Sequence, residues 1–370
     1  MGGVLVPFFL EWGKISFTQL MILQSWFMLW TFILEVPTGT IADYLGRKQS
    51  IILSVFVNII AVLVYASMPN FYIFLLGEFL WAMSAALMSG ADEAFVYDTL
   101  KKIDETKQSK KIFGKLESFR LAGIMFGAPI GSVIATHFGL RAPMLLFVIP
   151  LGIAFLISLT LKEPKTKQKT ESKRYISILK EGFKFFYKNK VLKILTTDFV
   201  VINAIAYFMI WLYQPMLKQA GVGLKYFGIV HAFFVLSQIL IMNNYRRLEK
   251  LFGSKKRMVF LSALITGIMF VVGGLTTWVP AVLWVIIVGG GFGMARRPLF
   301  VSYMNKYIPS SKRATVLSSV SMARRFVSII LNPIIGFMVD WSLNYTLIIL
   351  GAIAIIFSFI SRVKESHLID

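Results

Sequence analysis

Eleven apolar runs, each about twenty residues long and separated by short charged or Pro/Gly-containing turns, constrain this chain more than any other feature. They fall at residues 17–42, 49–67, 71–97, 114–136, 142–161, 192–216, 225–245, 258–276, 280–304, 313–339 and 345–362. An α-helix of that length just crosses a bilayer, and in hydrocarbon every backbone N–H and C=O must find its partner inside the protein, so such runs are read as helices. Composition agrees: 57% of the 370 residues are hydrophobic, 15% are charged, and mean hydropathy is +0.72. That is too apolar for one soluble core. The expected fold class is all-α and integral to a membrane.

A formal net charge of +21 would suggest nucleic acid if the cations formed a patch. They follow topology instead. With the turn after the first run placed in the cytoplasm, 30 of the 39 Lys and Arg residues fall in inward loops and the C-terminal tail. Four (Lys14, Arg141, Lys218, Lys225) fall outward, and five (Arg120, Arg296, Arg297, Arg324, Arg325) lie inside runs. This positive-inside bias predicts a multi-pass protein of the cytoplasmic (inner) membrane with its C-terminus in the cytoplasm, and it accounts for the charge without nucleic acid. Cysteine is absent, the three histidines (His137, His231, His367) are far apart, and no GxxxxGK[ST] loop occurs. Neither a metal, a cofactor nor bound ATP is expected, so energy, if used, comes from an ion gradient, the proton gradient first, or from a partner.

The basic stretch "LKEPKTKQKTESKRYISILKEGFKFFYKNK" (161–190) divides the runs almost evenly. Residues 1–161 are expected to form one six-helix bundle and 192–370 another with a short tail. The linker 162–191 between them spaces Ile176, Leu179, Phe183 and Phe186 as one face of a helix lying on the membrane surface. The halves repeat. Arg120 precedes Pro129 by nine residues, as Arg324 precedes Pro333; Pro7 and Gly13 match Pro215 and Gly221 at an offset of 208. The opening "MGGVLVPFFL" then corresponds to the end of the first run of the second half, so the first of twelve helices is incomplete: Met1 is not expected to be the natural start, the alternative being a genuine half-helix.

The stretch "GTIADYLGRKQS" (39–50) follows the first full run. It resembles the Gly-x-x-x-Asp-x-x-Gly-Arg-Lys motif of the major facilitator superfamily, matched here by Gly39, Asp43, Gly46, Arg47 and Lys48. The resemblance implies twelve helices in two pseudo-repeats and a conformational latch. In that latch Asp43 meets Arg47 and the start of the eleventh helix, and Arg47 reaches the acid ending the fourth, here Asp98. The second-half copy, "LEKLFGSKKR" (248–257), has Lys250 in place of the aspartate. "GIMFGAPIGS" (123–132) is loosely similar to the fifth-helix motif of drug:proton antiporters through Gly123, Gly127, Pro129 and Gly131. Those glycines suit tight helix packing. Glu78 departs from the pattern, standing where many such antiporters carry an arginine.

Ionisable groups inside spans are costly and are functional candidates by default. They are Glu35, Glu78, Asp92, Glu93, Arg120, Asp198, Arg296, Arg297, Arg324 and Arg325. On one continuous helix Asp92 and Glu93 would flank Glu78 by about 40° and 60°, and Arg120 stands at a depth that lets it pair with either. Structural ion pairs and a polarised cavity are both open readings; Glu35 and Glu78, the deeper acids, are the candidates for proton coupling or cation contact. Phe27, Trp30, Trp81, Tyr207, Trp211, Tyr213 and Phe234 offer either an aromatic pocket or packing. The expectation is a monomeric secondary transporter working by alternating access, with proton-coupled efflux of small amphipathic compounds ahead of proton-coupled metabolite uptake or a non-transporting receptor or scaffold. No nucleophile constellation suggests an enzyme.

Overall fold

The computed structural model describes residues 2–164, 186, 189–309 and 312–369, with the side chains of residues 36, 40, 43 and 314 outside that description. The expected surface helix therefore lies outside the described residues except for Phe186, which packs on a hydrophobic cluster of the second half. Regular structure among the described residues is helical, and eleven helices are long and apolar enough to cross a membrane. The chain forms two compact units, Met1–Tyr175 and Ile176–Asp370.

Unit 1 opens with a short helical segment, Gly2–Trp12, that ends in a π turn, Phe8–Trp12. Ser16 and Gln19 exchange side-chain and backbone hydrogen bonds of 3.1 and 3.0 Å, a capping box that starts Phe17–Leu45. Gly46, with φ +95°, turns the chain into Arg47–Ser67. That helix lies along Phe71–Met88 through Ser54, whose hydroxyl donates to Ser84 O at 2.8 Å, and Ser50, which donates to Leu87 O at 2.7 Å. Ser109–Phe138 and the Ala142–Leu146 and Val148–Thr160 pair complete the unit.

The fourth span differs from the continuous helix expected over 71–97. Phe71–Met88 ends at Ser89, Gly90 takes a left-handed φ of +75°, and Ala91–Lys102 starts afresh. Rotation about Gly90 cancels the shared face: Glu78 is buried, whereas Asp92 and Glu93 are exposed in the first turn of the new helix. Carboxylates are favourable there, beside the partial positive charge of a helix start.

In unit 2, Asn189 caps Lys190–Gln219 through Leu192 N at 3.0 Å. With most of its spanning residues buried, this helix is the core of the unit. Around it stand Phe227–Asn243, Lys255–Leu275, Gly290–Lys306, Arg313–Trp341 and Leu343–Ile360. Lys255–Leu275 and Leu343–Ile360 touch at backbone distance: a Cβ on Gly274 would fall 2.5 Å from Asn344 O. Such contact needs glycine and gives the dispersion that holds helices together in lipid. The pairing also carries the chain after Ile360 back across the start of Lys255–Leu275, where Val363 and Leu368 join the buried cluster.

Candidate functional site

In unit 1, three helices converge on Glu78, 5% exposed inside its span. Gln24 Nε2, from Phe17–Leu45, donates to its carboxylate at 3.0 Å, and the buried Tyr65 hydroxyl, from Arg47–Ser67, hydrogen-bonds it as well. The Tyr65 ring is fixed by Gly77, where a Cβ would stand 3.1 Å from it, and by edge contacts with Phe9 and Trp81. Glu78 thus has neutral partners and, among the described residues, no cation. An ionised carboxylate buried in that way is costly and a neutral acid is not, so the group is suited to taking up and releasing a proton. One residue along, Phe79 meets Trp30 edge-on, and the buried Trp30 Nε1–H has no acceptor among the described residues.

A second set of charges lies where Arg47–Ser67 begins. The Arg47 guanidinium pairs with Asp98 and donates to Ala94 O at 2.7 Å. The Glu163 carboxylate, after the last span of unit 1, accepts from Arg47 N at 3.0 Å and Lys48 N at 2.6 Å. Unit 2 repeats the device: Glu365 accepts from Lys255 N at 3.1 Å and Lys256 N at 2.7 Å. Each carboxylate satisfies two N–H groups that a helix start leaves without intrahelical partners, and each faces the positive end of the helix dipole. Glu163→Gln is expected to cost about 1 kcal/mol of stability, and the exposed Glu365→Gln less, in thermal unfolding of the purified protein in detergent. Equal, negligible shifts would show that water caps both helices as well. A Cβ on Gly46 would meet the Glu163 carboxyl at 3.2 Å, and one on Gly39 would meet nothing within 4 Å, so Gly39 supports no close helix approach among the described residues. The Asp43 side chain, the acid of the expected latch, lies outside the described residues.

Unit 2 separates its arginines. Arg296 is 2% exposed; its guanidinium pairs with Asp198, donates to Val259 O at 2.6 Å, bonds the Ser262 hydroxyl and lies over the Phe300 ring. The second Asp198 oxygen accepts from Ser361 at 2.5 Å. Beside this pair the Tyr245 hydroxyl donates to Ala295 O, and burial pushes its phenol well up, so it stays a donor. Arg296 is therefore enclosed by its own unit, its charge met by Asp198. Arg297 is exposed and Arg324 half-buried, and among the described residues neither has a carboxylate partner. Tyr213 and Phe234 are buried around His231 as packing.

The remaining candidates divide. Glu35 is half-buried. Arg120 does not pair with Asp92 or Glu93: its guanidinium forks onto Glu117, three residues earlier on its own helix, at 2.7 and 2.5 Å. The i,i+3 spacing brings that carboxylate within reach without any tertiary contact. Pro129 sits inside Ser109–Phe138 and Gly131 is buried, but a Cβ on Gly123 or Gly127 would meet nothing within 4 Å. The tight packing expected of those two glycines is not made among the described residues.

The family model described as Major Facilitator Superfamily matches residues 2–330. The chain belongs to the major facilitator superfamily. A curated relative, an uncharacterized MFS-type transporter, YxaM, of Bacillus subtilis (strain 168), is 25% identical over 314 residues, 82% of this chain and 76% of its own. Among solved structures, the nucleoside transporter NupG superposes with a TM-score of 0.79 at 15% identity, over 98% of this chain and 96% of that one. A POT family transporter in complex with 5-aminolevulinic acid gives 0.73 at 15% identity, over 100% and 93%. At such identities the structural likeness speaks for the fold alone. Membership makes the chain a multi-pass membrane transporter.

Within this major facilitator fold, three features went unread in the sequence. Gln24 and Tyr65 carry no charge to draw notice, and Asp198 and Arg296 stand 98 residues apart. Glu163 and Glu365 did leave a trace: Lys162-Glu163 and Lys364-Glu365 follow the last spans of the two halves.

Proposed function

We propose that the chain is a proton-coupled secondary transporter that exports small amphipathic compounds by alternating access, with Glu78 as the proton-carrying group. The observation that carries this reading is a buried carboxylate, inside a span, held by Gln24 and Tyr65 and without a cation among the described residues. A group in that setting changes charge with conformation, which is what coupling requires. Other buried acids are committed, Asp98 to Arg47 and Asp198 to Arg296. Glu35 is the second candidate for the proton, and Trp30, Arg297 and Arg324 are candidate substrate contacts; Asp92, Glu93 and Arg120 stand behind them. Gly39, Asp43, Gly46, Arg47, Lys48 and Asp98 form the latch in this reading, with the Arg47–Asp98 pair as one arm. The protein acts as a monomer in the cytoplasmic membrane with its C-terminus inside, the orientation that its charge asymmetry favours.

Proton-coupled uptake of a small metabolite is the second reading, favoured by the fold shared with the nucleoside transporter NupG. The test is accumulation of lipophilic cations, organic anions, neutral drugs and nucleosides in native cells with and without the gene, each with and without a protonophore. Higher accumulation in the deletion strain, a difference that the protonophore removes, is the expected result. Lower accumulation in the deletion strain would replace export with uptake.

A further inference from the structure

Two adjoining clefts, of about 530 and 490 Å³, open in unit 2 between the start of Lys190–Gln219 and the chain leaving Leu343–Ile360. They share Lys190, Ile194, Ser361 and Arg362. Lys193 adds a cation to the first, and Lys256 and Lys364 add two to the second. Among the described residues no carboxylate pairs with any of these five side chains. Asp198 lines the first cleft, but its carboxylate is already engaged with Arg296 and Ser361, and the nearby Glu365 is engaged with the N–H groups of Lys255 and Lys256. Five like charges around the two adjoining clefts, at the positive end of a 30-residue helix, leave a demand for an anion that no carboxylate among the described residues meets.

The rest of the lining says which anion. Ile194, Phe357 and Ile360 form an apolar wall to the first cleft. Lys190 and Ile360 are terminal residues of their spans, so the wall stands at the edge of the hydrocarbon and the cations at headgroup depth. A soluble oxyanion would use only the cations; a phospholipid uses both, its phosphate on Lys190, Lys193 and Arg362 and the start of an acyl chain on Phe357 and Ile360. Val363 and Leu368, anchored in the buried cluster, hold the tail that carries Arg362 and Lys364, so the cleft is built into the fold. We propose that these clefts bind the headgroup of an anionic phospholipid.

Each cation near an anionic lipid surface contributes roughly fivefold in affinity, so the triple variant Lys190→Gln/Lys193→Gln/Arg362→Gln should bind about 100-fold more weakly. The experiment takes the delipidated full chain in detergent and counts retained lipid by intact-complex mass spectrometry during titration with phosphatidylglycerol, phosphatidylcholine, or glycerophosphoglycerol, the headgroup without chains. The expected result is retention of phosphatidylglycerol over phosphatidylcholine, loss of that preference in the triple variant, and no competition from the chainless headgroup. The charge-conserving Lys193→Arg/Arg362→Lys variant should keep the preference. Equal retention of the two lipids, an unaffected triple variant, or loss in the charge-conserving variant as large as in the triple would overturn the proposal. So would competition by glycerophosphoglycerol at the same concentration, which would make the site one for a soluble phosphate.

Discussion

Asp198→Leu will lower the unfolding free energy by about 3–5 kcal/mol, since it leaves the Arg296 guanidinium buried without its carboxylate. Val259 O and the Ser262 hydroxyl would still accept from Arg296, but they do not neutralise it. Arg296→Met should cost a comparable amount, because Asp198 would then keep only Ser361. The double variant Asp198→Leu/Arg296→Met removes both charges and should be more stable than either single one, since a buried pair replaced by apolar groups of similar size is often close to neutral. Unfolding titrations in detergent on the four proteins decide the matter. Additive losses in the double variant would mean that the two side chains act through separate partners. A double variant that still transports would assign the pair to stability and not to substrate.

The second large effect is on coupling. Glu78→Gln keeps the size of the side chain and a carbonyl to accept from Gln24, but it cannot hold a proton. In proteoliposomes the variant should lose accumulation driven by an imposed pH gradient while still exchanging labelled for unlabelled substrate across the membrane. Gradient-driven accumulation at the normal level would remove Glu78 from the coupling scheme and move the role to Glu35. Loss of exchange as well would show that the carboxyl group is needed for substrate binding or for the fold.

The spans read from hydropathy and those in the structure agree within a few residues at most ends, for example 49–67 against Arg47–Ser67 and 142–161 against Ala142–Thr160. Gly46 before Arg47 stands where a positive φ is needed, whereas the Ser16–Gln19 capping box was not singled out in the sequence. Reasoning along a single helix failed where a glycine interrupts it. Gly90 sits within an apolar run and nothing local shows whether the helix continues through it, so the face shared by Glu78, Asp92 and Glu93 was an artefact of assumed continuity. Depth matching failed for Arg120 because a nearer acid, Glu117, sat on its own helix.

The sequence by itself determined that this chain is helical, which stretches are long and apolar enough to cross a membrane, and which family it resembles. Those properties follow from transfer free energies that add residue by residue and from backbone needs met within a segment. Which buried charge meets which partner was decided only by the tertiary structure. Arg296 and Arg297 are neighbours in the chain, yet one is enclosed against Asp198 and the other is exposed, because the helix surface turns by about 100° per residue and the helices packed around it settle which side is inside. The carboxylates that cap Arg47–Ser67 and Lys255–Leu275 come from more than 100 residues away, brought there by helix packing that no local window contains.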